Sequence, residues 1–386
     1  MAVERLHKEN YEELMDFVDL VFSQDLLKVH FQEDLPYCFG PDEEHMQMQY
    51  VYRDETGRIR SAIGVIPYTY MVGDTAFSAR TITNVATHHR YTGKGYMQTI
   101  MKKVFEDMET ENVDLVILHG NRERYRHFGF ESAGLSESAS FRAYNIKNRQ
   151  KRGERYDYQF RELNPEDRAD VEACLSLFEA EPQHFKRTVQ DFCLFQKMWH
   201  GKTYLIYDGR GIFQGYLNYC DHFSPIIREL ELISPDKVVS AVNSFMLQQK
   251  LSAVTLAFSP FRTQMSEKIY DAAENVSCGQ TTRLHLLKPE KFIEACMNLK
   301  IKSKAYMPEG SLVLQTPWGN LSLEVKKKTA YVGQTQLQAE VTLSVEEVYS
   351  FLFGPSPRIF LPEKRNIGER NAWFPLPFYI HNTDLY

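Results

Sequence analysis

The stretch NVATHHRYTGKGYMQTIMKKVFEDM, residues 84–108, constrains this chain more than any other. A β-branched run leads into Arg90-Tyr91-Thr92-Gly93-Lys94-Gly95, and the spacing of apolar residues after it predicts an amphipathic helix from Tyr96 onward. The amides that open a helix have no acceptor inside it and point the same way, and the helix dipole adds partial positive charge there. An anion is stabilised at such a place if the main chain can approach it closely. Gly93 and Gly95 lack the β-carbons that would block that approach, and Arg90 and Lys94 add positive charge at the rim. A diphosphate fits this loop.

Two common diphosphate loops are excluded by spelling. The P-loop pattern, GxxxxGK followed by Ser or Thr, is absent, and GxGxxG needs a third glycine where this chain has Gln98. The setting differs too. QYVYRDETGRIRSAIGVIPYTYMV reads as strand, tight turn and strand, SARTITNVAT adds another strand, and only then come loop and helix. VDLVILHG follows as a short apolar run, the mark of a strand buried on both faces, then a helical turn around Arg122–Arg126 and a closing FGFES. An amphipathic helix over residues 8–22 precedes everything.

Between Ala143 and Tyr158 the text turns rich in Lys and Arg and poor in aliphatics, which marks a domain boundary. Beyond it the order recurs: helix PEDRADVEACLSLFEA, hairpin TYLIYDGRGIFQGYLNYC, strand and helix RELELISPDKVVSAVNSFMLQQK, then LSAVTLAFSP. Where the glycine loop should recur stands Ser234-Pro235-Asp236, so the second copy keeps the scaffold without the anion site. The last third opens with a helix at KPEKFIEACMNL, continues through β-rich segments and the helix SVEEVYSFLFG, and ends in the aromatic stretch WFPLPFYIHNTDLY, which is expected to dock rather than float.

Composition limits the functional classes. The 386 residues carry a formal charge of −6, which argues against nucleic acid and accommodates a cationic partner. Six scattered cysteines without a CxxC pair read as buried thiols in a reducing compartment, and neither a signal peptide nor a membrane-spanning run is recognisable, so a cytoplasmic protein without membrane insertion is expected. His119 and His127 make no metal-binding pattern, His88 and His89 would point to opposite faces of an extended segment, and no metal is expected.

Arg90-Tyr91-Thr92-Gly93-Lys94-Gly95 resembles the coenzyme A pyrophosphate loop of the GNAT N-acyltransferases, Gln/Arg-x-x-Gly-x-Gly/Ala, and VILHGNRERYRHFGFE resembles that superfamily's next strand and tyrosine-bearing helix. The whole layout is similar to the Eis (enhanced intracellular survival) family. That resemblance implies an α+β fold of mixed, mostly antiparallel sheets with flanking helices. It implies a GNAT domain at 1–148, a degenerate GNAT-like domain at 149–286, and a domain at 287–386 similar to sterol-carrier proteins. It further implies acetyl-CoA as cofactor, held by Val85, Ala86, Thr87, Arg90, Tyr91, Thr92, Gly93, Lys94, Gly95, Tyr96, Met97 and Asn121, and a homo-oligomer, a hexamer in that family.

Acetyl transfer from a thioester to an amine needs a base for an ammonium of pKa about 10 and an acid for a thiolate whose conjugate acid sits near 8.5. Tyr125 matches the tyrosine that protonates the coenzyme sulfur in GNAT enzymes; its bland alternative is an aromatic packing beside Phe128 and Phe130. A backbone donor near Val85 would meet the developing oxyanion. No Asp or Glu is placed as base by spacing, and the family resemblance points to the terminal carboxylate of Tyr386. The same resemblance implies that the segment after the first helix walls the acceptor cleft, where Asp25, Glu33 and Asp34, with Asp384, would attract a small-molecule or peptide amine and Phe31 and Tyr37 would line the wall. A rival reading is a carrier that holds a lipid or acyl-CoA in its last domain.

Overall fold

Two long strands organise the first third of the chain. Ile59–Val72 and Thr75–Thr87 are rich in Ile, Val, Thr and Tyr, which suit a pleated surface, and they pair antiparallel with Gly73 (φ 56°) and Asp74 making the turn. The computed structural model describes residues 3–24, 30–280, 282–355, 361 and 363–385. In chain order the strands are β1 (Val3–Arg5), β2 (Gln49–Arg53), β3 (Ile59–Val72), β4 (Thr75–Thr87), β5 (Leu115–His119), β6 (Glu131–Ala133), β7 (Ser136–Arg142), β8 (Gln159–Glu162), β9 (Gln183–Phe185) and β10 (Lys202–Tyr207). There follow β11 (Phe213–Cys220), β12 (Ile226–Leu232), β13 (Ala253–Phe258), β14 (Asn275–Gly279), β15 (Thr282–Leu286), β16 (Gly310–Thr316), β17 (Gly319–Lys326), β18 (Thr329–Gln334) and β19 (Val341–Thr342).

The first sheet runs β1-β2-β3-β4-β5-β15-β6, with β9 added at the far end of β3; the second runs β14-β7-β13-β12-β11-β10-β8; a smaller third runs β18-β17-β16-β19. Each large sheet contains a single parallel pair among its described strands, β4 with β5 and β12 with β13. A helix crosses over within each pair, Tyr96–Thr110 in the first and Val238–Gln248 in the second. This is the mixed, mostly antiparallel α+β architecture with flanking helices. Sheet membership does not follow the divisions at 148 and 286: β7 precedes the first yet lies in the second sheet, and β15 precedes the other yet lies between β5 and β6. The basic stretch after β7 is itself a helix over Ala143–Lys151, anchored by the buried Ile146.

Helix Tyr96–Thr110 buries Ile100, Met101, Val104 and Met108 against Ile63, Val65, Ile82, Val116 and Leu118 on one face of the first sheet. Each such side chain contributes up to about 1.5–3 kcal/mol by leaving water. The opposite face shares a continuous core with helix Tyr11–Phe22, the third sheet and the C-terminal stretch. That stretch docks along residues 373–385. Phe378 sits edge-on to Tyr70 of β3 and to Phe292 and Phe353 of the third unit's helices, its carbonyl accepts from the Leu135 amide at 3.0 Å, and the Tyr379 carbonyl accepts from Tyr70 Oη at 2.6 Å. Lys300 donates to the carbonyls of Ala372, Trp373 and Pro375 at 2.9–3.0 Å.

The cysteine expectation needs two corrections: all six are free, but Cys278 is exposed, because β14 is the outer strand of its sheet, and Cys193 is only half-buried. No helix among the described residues is long and apolar enough to cross a membrane.

Candidate active site

β4 and β5 pair in parallel from Ala79 with Leu115 to Ile82 with Leu118 and then part company. In the same place the β3–β4 register slips, Ala62 facing Ala86 while Gly64 faces Thr83, so that Ile63 alone opposes Asn84 and Val85. This is a β-bulge, with Asn84 in the left-handed region at φ 41°. Its side chain fits only because residue 64 is glycine: a β-carbon there would stand 2.1 Å from Asn84 Oδ1. Beyond the bulge β4 stays paired with β3 as far as Thr87, but its pairing with β5 has ended at Ile82, so a wedge opens between these two strands.

The wedge leads into a cleft of about 440 Å³. On one side lies the glycine loop. Gly93 and Gly95 have φ of 79° and 80°, and Gly95 caps helix Tyr96–Thr110 without any side-chain partner. The first turn of that helix holds no acid, and its first internal bond runs from the Thr99 amide to the Gly95 carbonyl at 3.0 Å, leaving the amides before it without a helical acceptor. A β-carbon at Gly93 would meet nothing within 4 Å. The space beside the glycines is therefore not demanded by the protein's own packing, and it suits an anion seated on main-chain amides. The rim is cationic: Arg60 and Lys94 stand over the Tyr91 ring at 4.2 and 4.6 Å, and His88 is held below the usual imidazole range by partial burial and by His89, Arg60 and Arg90.

Of the residues assigned to coenzyme binding, Val85, Thr87, Tyr91, Thr92, Gly93, Gly95, Tyr96 and Met97 line this cleft. Arg90 and Lys94 stay outside it on the rim. Ala86 faces the interior, 1% exposed, its carbonyl accepting from Ser61 Oγ at 2.8 Å. Asn121 is exposed and its side chain caps helix Arg122–Tyr125 by accepting from the Glu123 amide at 2.9 Å. Val21, Phe22 and Gln24 at the end of the first helix, with His89, Gln98 and Arg124, complete the lining. Gln24 Nε2 lies 3.4 Å from His89 Nδ1 across the cleft. The two adjacent histidines are stacked at 4.5 Å rather than opposed, because the chain leaves the strand at Thr87 and turns helically over His89–Tyr91.

Tyr125 ends helix Arg122–Tyr125 directly beside Arg124. It is 5% exposed, and its ring lies so close to Gly120 that a β-carbon there would stand 2.8 Å away. Burial raises its pKa above the phenol value, and Arg124 works against that rise. The phenol is therefore protonated at neutral pH.

The acceptor-side residues divide. Phe31 is core, edge-on to the cleft-lining Phe22 at 4.8 Å, and Tyr37 stacks between Tyr68 and Phe195 at 5.6 and 4.2 Å. Glu33 is exposed. Asp25 and Tyr386 lie outside the described residues. Asp384 is buried, 3% exposed, and accepts from Arg187 at 2.5 Å, so its charge is balanced inside rather than offered to a cation. Arg187 also donates to Thr383 at 3.1 Å, and its guanidinium stacks on Phe178 at 3.8 Å and Phe195 at 4.4 Å, the ring that carries Tyr37. Glu229 completes the lock: burial would raise its pKa, but Arg187 first and then His381 hold it below the usual range, and its Oε2 accepts from Thr383 Oγ1. The C-terminal stretch is thus pinned by charge behind the Tyr37 wall.

Residues 2–133 match the family model of an acetyltransferase (GNAT) domain. Solved structures share the fold along the whole chain. A GCN5-related N-acetyltransferase from Anabaena variabilis is 15% identical with a TM-score of 0.71, covering all of both chains. A protein from Enterococcus faecalis described as a probable N-acyltransferase is 16% identical with a TM-score of 0.69, covering all of this chain and 97% of its own. Eis1 from Mycobacterium abscessus is 13% identical with a TM-score of 0.66, again covering all of both chains. At such identities the likeness concerns the fold. No curated protein matches the sequence.

Proposed function

Since residues 2–133 are a GNAT acetyltransferase domain, which makes the chain an acyltransferase, we propose that it transfers an acetyl group from acetyl-CoA to a primary amine within a ternary complex. The observation that carries this reading is the open helix start at Gly93–Gly95 beside a wedge of parted strands: a seat for a pyrophosphate and a slot for the arm that follows it.

In this reading the amine nitrogen attacks the thioester carbonyl, the Val85 amide receives the oxyanion, and the C–S bond breaks as Tyr125 Oη hands its proton to the sulfur. A phenol at or above pKa 10 is a weaker acid than a thiol near 8.5, so that transfer runs uphill by at least about 2 kcal/mol. Arg124, which favours the phenolate, reduces this gap. The terminal carboxylate of Tyr386 is the proposed base. Support for it comes from the charge lock at Thr383 and Asp384, which fixes the chain just before the terminus. The acceptor is proposed to be a polyamine, an aminoglycoside-like amine or a lysine side chain. A cytoplasmic homo-oligomer completes the proposal, its chain made of three units of which the first two exchange strands across the divisions at 148 and 286.

Calorimetry with acetyl-CoA, followed by thiol release with a panel of amines, tests it. Binding together with release for at least one amine is expected; no binding of acetyl-CoA overturns the proposal. Residues appended after Tyr386 should abolish release while leaving coenzyme affinity intact, and undiminished release would exclude the terminal carboxylate as base.

A further inference from the structure

A cluster unrelated to the glycine loop joins the two large sheets. Asp34 ends the helix Phe31–Asp34, His200 ends the turn Met198–His200, and His222 stands just beyond β11. Sequence spacing separates these residues widely; the fold brings one ligand atom of each within 4.8 Å of the others. We infer that Asp34, His200 and His222 bind a divalent transition-metal ion of the zinc class and so clip the Phe31–Tyr37 wall to the second sheet.

The donor set suits such an ion, because two neutral imidazoles and one carboxylate are zinc ligands that leave a fourth position for water. Distances agree. Bonds of about 2.0–2.2 Å at tetrahedral angles put ligand atoms about 3.3 Å apart. Asp34 Oδ1 and His200 Nε2 stand at 2.8 Å and need only relax slightly, while the His200 and His222 rings, 4.9 Å between centroids, close in.

The carboxylate is prepared for the role. Asp34 is 4% exposed, and its other oxygen accepts from the His30 amide at 2.8 Å, which fixes its orientation as an outer partner fixes a metal ligand. The histidines are held from the other side. Trp199 and His200 both adopt the left-handed region, at φ 54° and 58°, a conformation rare for residues with side chains and rarer in succession. It directs His200 toward Asp34. The Trp199 carbonyl accepts from Cys220 Sγ at 3.1 Å, which ties the turn to the strand that leads to His222. Both histidines are exposed, so an ion has an open approach.

The competing account is a plain Asp34–His200 ion pair. In that account His222 is held by ring contacts alone, edge-on to Phe223 at 4.5 Å and beside Trp199 at 6.4 Å, and its nitrogen has no reason to converge on the Asp34–His200 pair. The inference stands apart from acyl transfer, because it is read by metal binding alone.

The test uses tag-free full-length protein stripped with a chelator, titrated with Co²⁺ by absorption and with Zn²⁺ by calorimetry. One ion per chain with mixed nitrogen and oxygen ligation is expected, together with a melting temperature raised by Zn²⁺. His222→Ala, at an exposed position, should weaken that binding at least tenfold while leaving acetyl-CoA affinity unchanged; His200→Ala should do the same to the metal. No binding, or binding that survives His222→Ala and therefore belongs to another histidine such as the stacked His88 and His89, overturns the inference.

Discussion

Tyr125 is a hydroxyl placed where water hardly reaches, and its partners decide what that hydroxyl can do. Burial keeps the proton on, Gly120 gives the ring room, and Arg124 eases the proton's departure. Tyr125→Phe keeps the ring in its slot and removes the proton, so the fold and acetyl-CoA affinity should persist while turnover drops at least tenfold, as measured by thiol release against calorimetric binding; near-normal turnover would reduce Tyr125 to a packing aromatic. Its position relative to the apolar strand was legible because strand, helical turn and tyrosine adjoin in sequence. Gln24 and Phe22 were not, since a residue ending an amphipathic helix looks the same whether it faces a core or a cleft. Asp384 shows the reverse failure: its letter suggests a lure for cations, and only the fold supplies Arg187, which neutralises it.

At the scale of elements, the loop from Arg90 to Gly95 was the most readable segment, because left-handed glycines, an uncapped helix start and basic neighbours are all local properties. The space beyond Gly93 gives a separable prediction. Alanine there must hold φ near 79°, costing about 1–2 kcal/mol, yet its methyl group meets no protein atom within 4 Å. Gly93→Ala should therefore weaken acetyl-CoA binding at least fivefold by calorimetry while shifting the melting temperature only slightly; unchanged affinity would mean that the loop does not seat the phosphates. Strand pairing was the least readable. Ser136–Arg142 and Thr282–Leu286 do not read as strands, for SESASFR and TRLHL are short and weakly patterned, and a strand's partner is chosen by register and burial far along the chain.

Across the whole molecule, the C-terminal stretch joins all three sheets and brings two opposed titrations with it. Burial lowers His381 from 6.5 to about 3, so below pH 6.5 the unfolded chain takes a proton that the folded chain refuses, and stability is lost as pH falls toward 3. Burial raises Asp384 from 3.8 to about 6, so its stabilising contribution is present at low pH and is lost as pH rises through 6. Between roughly pH 6 and 4 the two nearly cancel. Gln at position 381 can still donate to the Gln183 carbonyl, which accepts from His381 Nε2 at 3.2 Å, but it does not titrate. The melting temperature of His381→Gln, measured relative to the natural protein, should accordingly rise as pH drops from 7 to 5; a constant difference would show that His381 takes no part in the acid response.

The return of β9 and β15 to the first sheet has a consequence beyond stability. No single scission of the polypeptide yields two complete sheets: a cut before β7 keeps the second whole but takes β9 and β15 from the first. The stretch of chain that builds the sheet without a glycine loop therefore cannot be cut away whole without taking a ribbon from the sheet that carries one.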